Sequence, residues 1–216
     1  MTRTSNARLA GASYLLYIAA AFPSMMLMRK ATAGADMTAT LASLAQHARE
    51  VHAASLLTLI GAFCALVLAV TLYAITREQD RDLAMLGLVC RVTEGVIGGV
   101  SIVGTLGLLA VAQAGGAGAP AVATFILDDS MPVTATFFAV GSTLFSWLLL
   151  RGRMIPTPLA WLGVVGSALL VMTLPLQVAG LLTGVITQLQ WIPIALFEVT
   201  VAVWFLVKGV AERAPG

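Results

Sequence analysis

Leu83 to Ala112 reads LAMLGLVCRVTEGVIGGVSIVGTLGLLAVA, thirty residues whose only full charges are Arg91 and Glu94. At about 1.5 Å of rise per residue the run is long enough to cross about 30 Å of hydrocarbon as a helix. Strands of a membrane barrel are shorter and alternate in polarity. Lipid offers no partner to a free backbone N–H or C=O, so a run of this length and apolarity must satisfy its own backbone as a helix.

Outward from this stretch the charges cluster and leave five more apolar runs. The spans fall at about 9–28, 53–76, 83–112, 133–150, 159–182 and 191–207. With 59% apolar and 10% charged residues in 216, the composition lies outside the soluble range. The expected fold is all-α, a polytopic transmembrane bundle of six helices forming one domain over residues 1–216. No internal repeat suggests an inverted-repeat transporter.

Orientation follows from the loops, because cytoplasmic loops accumulate Lys and Arg. Arg3, Arg8, Arg77, Arg81, Arg151, Arg153, Lys208 and Arg213 fall on one side, against Arg29, Lys30 and Arg49 on the other. Both termini are therefore expected in the cytoplasm of a multi-pass protein of the cell (inner) membrane. The net charge of +2 reflects this topology and gives no reason to expect nucleic acid. A cleaved leader is the alternative for the first span, but its apolar run continues through PSMMLM to Arg29, longer than a usual signal core.

The turns are marked by composition. Gln113 to Ala121, QAGGAGAPA, reads as a flexible outer loop, and Arg151 to Pro158 as a tight inner turn. Thr157 is placed to cap the fifth helix, with Pro158 at its first position. Cys64 and Cys90 read as small core residues at different depths. His47 and His52 read as a polar interfacial flank, and their spacing suggests no metal site.

Laid on a helix, Ala84, Gly87, Arg91, Glu94, Gly98, Ser101 and Thr105 share one stripe, opposite a stripe of leucines and valines. The small and polar stripe is expected to pack inward along its whole length. Counted from the cytoplasmic ends, Arg91 lies about 12 Å deep, Glu94 about 17 Å, and Glu198 of the sixth span about 14 Å. A buried charge cluster of Arg91, Glu94 and Glu198 follows if the third and sixth spans touch, with Tyr17 and Ser142 as candidate neighbours at that level. A single charge at a helix centre costs roughly 2.5–3.5 kcal/mol on insertion scales, so the three charges need one another. One arginine against two carboxylates leaves a formal charge of minus one. Either the two acids share a proton or one of them holds it.

The same stretches carry a resemblance. ARLAGASYLLYI from Ala7, LYAITREQDRDLAMLGLVCRVTEGVI from Leu72, IPTPLAWLG from Ile155 and FEVTVAVWFLVKGV from Phe197 resemble a bacterial six-helix membrane family catalogued as domain of unknown function 4386. Its most specific features are matched by Arg91 and Glu94 on the third span and by Glu198, Trp204, Lys208, Gly209 and Val210 on the last. The resemblance implies a polytopic membrane protein and no established activity. Where relatives tend to carry Asp-x-His before the fourth span, this chain has Asp128-Asp129-Ser130, which read as helix-start capping carboxylates.

Two functions are compatible with this reading. One is a non-catalytic module that binds a lipid-like or small hydrophobic ligand, or a partner membrane protein, with the cluster serving packing. The other is a proton-linked small-solute transporter in which Glu94 or Glu198 changes protonation against Arg91, with Gln177 beside Pro175 as a candidate cavity-lining residue and Gly180 and Gly184 continuing its face. An intramembrane hydrolase would want a metal triad or a histidine-activated nucleophile, and the pattern supplies neither. No motif specifies a cofactor, a catalytic residue or an oligomeric state.

Overall fold

The structure, a computed structural model, describes residues 2–116, 118–126 and 131–211. Among these the regular secondary structure is helical throughout: α1 (Arg3–Ala31), α2 (Met37–Gln46), α3 (Ala48–Thr76), α4 (Arg81–Ala114), α5 (Ala119–Ile126), α6 (Met131–Arg151), α7 (Thr157–Val178), α8 (Ile186–Leu189) and α9 (Ile192–Val207). Six helical stretches are long and apolar enough to cross a membrane: α1, α3, α4, α6, α7 and the Ile186–Val207 segment that holds α8 and α9.

The spans extend past the apolar runs at most ends, because polar residues in the first and last turns keep helical geometry once they leave hydrocarbon. α7 is the exception. It runs through Pro175 and stops at Val178, and Gly180 and Gly184 adopt the left-handed φ values of 70° and 81° that glycine takes without steric cost. They form the turn between α7 and α8 and do not continue a helical face. At the other end, Pro156 precedes α7 without a side-chain cap, so Thr157 is the first helical residue and not the cap.

Two short helices stand where loops were expected. α2 starts at Asp36, whose Oδ1 accepts a 2.7 Å hydrogen bond from the Ala39 N–H and so satisfies one of the orphan donors of the first turn. α5 takes up the end of the QAGGAGAPA stretch from Ala119 onward. The capping role read for Asp128 and Asp129 lies outside the described residues.

The described residues gather into two compact units. The first comprises Met1–Leu16, Cys64–Gly95 and Met131–Gly216, and its core is built from Ala7, Ala10, Leu68, Leu72, Phe145, Leu170, Phe197 and Phe205, among others. Small residues let its helices approach closely, as lipid-embedded helices require when no hydrophobic force drives them together. A Cβ on Gly11 would stand 2.6 Å from the Ala202 carbonyl oxygen, and one on Gly163 would stand 2.6 Å from both Phe197 Cε2 and Ser146 Oγ. Between α6 and α7, Thr143 Oγ1 donates to Ser167 Oγ at 2.9 Å, which in turn donates to the Gly163 carbonyl.

The second unit comprises Tyr17–Phe63 and Val96–Ser130. Its core is smaller, centred on Leu44, Val51, Leu108, Leu109 and Ala123, with α2 packed on α5. Ser24 Oγ donates to the Ala54 carbonyl at 3.0 Å, and Lys30 pairs with Glu50 at 2.8 Å on an exposed edge. His47 closes α2, its Nδ1 2.9 Å from the Ser43 carbonyl oxygen, while His52 is exposed.

The small and polar stripe of α4 packs inward over only part of its length. Ala84, Gly87, Arg91 and Glu94 are buried in the first unit. In the second unit a Cβ on Gly98 would meet nothing within 4 Å, and Ser101 is exposed. On the opposite stripe Val89, Val96, Val100 and Val103 are exposed, while Leu88 and Val92 are half-buried.

Candidate buried charge site

The centre of the first unit is a charged side chain with almost no surface. Arg91 is 1% exposed, and its Nη1 lies 2.8 Å from Glu94 Oε2, one turn later on α4. The pair is i,i+3, a spacing at which helical side chains face one another. α6 encloses the arginine from another direction. Its guanidinium carbon stands 4.8 Å over the Phe138 ring, and a cation over an aromatic face is worth more when both are desolvated. Gly141 supplies the room for the aliphatic stem, because a Cβ there would come within 2.9 Å of Arg91 Cγ.

Glu198, on the buried face of α9, is 7% exposed and interacts electrostatically with both Arg91 and Glu94. All three charges thus belong to one unit. Tyr14 of α1 joins them, 4% exposed and within electrostatic reach of all three.

Tyr14 and Phe138 were not singled out by sequence reasoning. The signal for Tyr14 was present: Ala7, Ala10, Gly11 and Tyr14 form an i, i+3, i+4, i+7 stripe of α1 in which all four are buried. Counting depth alone favours Tyr17, three residues further along. Tyr17 belongs to the second unit, with its ring 3.9 Å from where a Cβ on Gly61 would lie.

Ser142 is 4% exposed, next to Gly141 and one turn after Phe138. Its hydroxyl oxygen is buried without a hydrogen-bond partner among the described residues, as is Glu198 Oε1. Gln177 lies elsewhere. Gly163 of α7 faces Phe197, and Gln177 is fourteen residues beyond Gly163, about 21 Å along the helix from the level of Glu198.

The chemistry open to this arrangement is that of protons and counter-charges. Arg91 and Glu94 balance, and Glu198 adds a formal negative charge in surroundings where an isolated carboxylate is costly. Cys64 and Cys90 are free, buried thiols, and both histidines belong to the second unit. Among the described residues no three His, Cys, Asp or Glu side chains gather as a metal site would need.

The family model described as "Domain of unknown function (DUF4386)" matches residues 9–209, nearly the whole chain. No curated protein and no solved structure matches it.

Proposed function

Because the chain belongs to that family of unknown function, no activity comes with membership, and we propose that it is a non-catalytic multi-pass module of the bacterial inner membrane whose Arg91, Glu94 and Glu198 cluster organises its helices. The observation that carries this reading is the enclosure of Arg91. A guanidinium held at once by Glu94, the Phe138 face and the gap at Gly141 is fixed in place rather than free to meet a solute.

Breaking a buried pair by removing one partner costs about 3–5 kcal/mol, because the other charge is left uncompensated. Arg91→Leu should therefore reduce folded yield sharply. Adding Glu94→Gln and Glu198→Gln should restore much of the lost thermal stability, since the triple variant buries no net charge. A triple variant no more stable than Arg91→Leu would mean that the three residues do not act as one network. With both termini cytoplasmic, as the loop charges suggest, a C-terminal reporter fusion should be active in the cytoplasm; periplasmic activity alone would reverse the orientation.

A second reading is favoured by the unpartnered Oε1 of Glu198: a proton-linked small-solute transporter using Glu94 or Glu198 against Arg91. If the triple variant regains stability but loses proton uptake by reconstituted vesicles reported by a pH-sensitive dye, this reading displaces the first.

A further inference from the structure

Four segments of the first unit meet at one of its ends. Arg3 Nη2 donates to the Ile75 carbonyl at 3.2 Å and lies 3.5 Å from Met154 Sδ, and the Ala211 N–H donates to the Met154 carbonyl at 3.0 Å. A Cβ on Gly152 would stand 3.0 Å from Gln79 Cδ, and one on Gly209 would stand 3.6 Å from Thr4 Cγ2. These contacts gather Arg3, Arg77, Arg81, Arg151, Arg153 and Lys208 against only Glu78, Asp80 and Asp82. The pairs among them are loose. Arg3 Nη1 is 4.0 Å from Glu78 Oε2 and Arg151 Nη1 is 3.6 Å from Asp80 Oδ2, whereas Lys30 closes on Glu50 at 2.8 Å in the second unit. A closed charge-assisted hydrogen bond spans about 2.7–2.9 Å, so the guanidinium donors here are not used up by their carboxylates.

The turn between α6 and α7 singles out one part of this end. The Met154 N–H donates to the Leu149 carbonyl and the Arg153 N–H to the Leu150 carbonyl, each at 3.0 Å, the closing pattern whose left-handed residue is usually glycine. Here that residue is Arg153, with a φ of 47°, and the glycine stands one position earlier at 152. Arg153 is exposed, and its guanidinium has no ion pair or hydrogen bond among the described residues. A cation wanted only to orient the chain could stand anywhere in the turn, whereas this one occupies the position where a side chain is strained. Tryptophan marks the same turn. Trp147 lies four residues before Arg151 and Trp161 four residues after Thr157, each about 6 Å along its helix from the turn. Both are exposed, while Trp191 and Trp204 are half-buried. Exposed tryptophans at one depth beside a polar turn are the mark of the membrane–water interface.

From these observations we infer that the α6–α7 turn is a binding site for an anionic phospholipid, with Arg151 and Arg153 on the phosphate and Trp147 and Trp161 against the top of the acyl chains. A guanidinium matches phosphate oxygens with paired donors, and the excess of cations favours a lipid with net negative charge over a zwitterionic one. A soluble anion would gain from the same charges but would place nothing against the two indoles. The inference asks of the proposed function only that the chain lies in a membrane. Its failure is separable from that of the Arg91 cluster, whose test reads stability.

The test uses the full chain in phosphatidylcholine vesicles that hold a minor share of lipid brominated on its acyl chains, which quenches the fluorescence of an adjacent tryptophan. Brominated phosphatidylglycerol should quench more than brominated phosphatidylcholine at the same share. The excess should be lost in Arg151→Gln/Arg153→Gln and in Trp147→Phe/Trp161→Phe, and kept in Arg29→Gln/Arg49→Gln, which removes the same charge from the second unit. Equal quenching by the two lipids in wild type, or an excess that survives either of the first two variants, overturns the site. Equal loss in the Arg29/Arg49 variant also overturns it, making the preference one of bulk charge. An excess abolished by inorganic phosphate but not by sodium chloride of equal ionic strength would make the ligand an aqueous anion. Arg153→Gly keeps the test open should the double arginine variant fail to fold. It should melt no lower than wild type in lipid-free detergent, because glycine takes this φ without steric cost, and still lose part of the excess in vesicles. A lower melting point would make Arg153 a structural residue, and an unchanged excess would remove it from the site.

Discussion

Residues 84–95 and 96–107 of α4 carry the same kind of stripe, glycines interleaved with polar side chains, and meet different surroundings. In the first stretch a Cβ on Gly87 would stand 3.1 Å from Phe145 Cζ, and Arg91 is held against α6. In the second, a Cβ on Gly98 would meet nothing within 4 Å, and Val103 on the opposite stripe is 73% exposed. A small residue permits a helix to come close, whereas a full charge compels it, because the alternative is a desolvated ion without a partner. The stripe packs where it holds Arg91 and Glu94 and stops packing just beyond them.

The largest effect that sharpens this contrast is expected at Gly141, the residue of α6 that leaves room for the arginine. Gly141→Leu would place a branched side chain where a single Cβ already comes within 2.9 Å of Arg91 Cγ and 3.3 Å of Cys90 Cβ. Overpacking typically costs about 1–3 kcal/mol, and displacing a charged stem from its partners adds to that. Gly107→Leu is the control in open surroundings and should not destabilise, any change being the gain of about 0.5–1 kcal/mol in helix preference over glycine. Thermal unfolding of both variants in the same detergent checks the pair. Equal losses would mean that the arginine does not depend on the gap.

Much of this was readable in the sequence. Six apolar runs of this length separated by charge clusters are a strong signal, because barrel strands are shorter and only a helix of that length hides its own backbone in lipid. Arg91, Glu94 and Glu198 stood out as charges inside apolar runs, where an unpaired charge is costly. The ends of elements were harder. Gly180 and Gly184 sit at helical spacing, and nothing local distinguishes a packing glycine from one that ends a helix. α2 is short and only moderately apolar, so its signal was Asp36 ahead of Leu41 and Leu44 and not its length. Tyr14 was missed because depth locates a residue along a helix and says nothing about its direction around it. The same loss of direction hid Phe138, which reads as one more apolar residue until Arg91 is set over its ring.

The smallest predicted effect tests the contrast where it costs least. Glycine inside a helix is disfavoured relative to alanine by about 0.5–1 kcal/mol, through the freedom it loses on folding. At Gly98 a methyl group meets nothing within 4 Å, so Gly98→Ala should raise the melting temperature slightly by that difference alone. At Gly87 the same gain in helix preference is opposed by the Phe145 ring, whose Cζ would lie 3.1 Å from the new Cβ and must give way within a packed core. Gly87→Ala should thus melt below Gly98→Ala, and below the wild type if Phe145 cannot yield. Because both substitutions sit on one helix and make the same chemical change, detergent and helix preference cancel in the difference. An identical shift for the two would place Gly87 in surroundings as open as those of Gly98, and the contrast between the two stretches of α4 would fail.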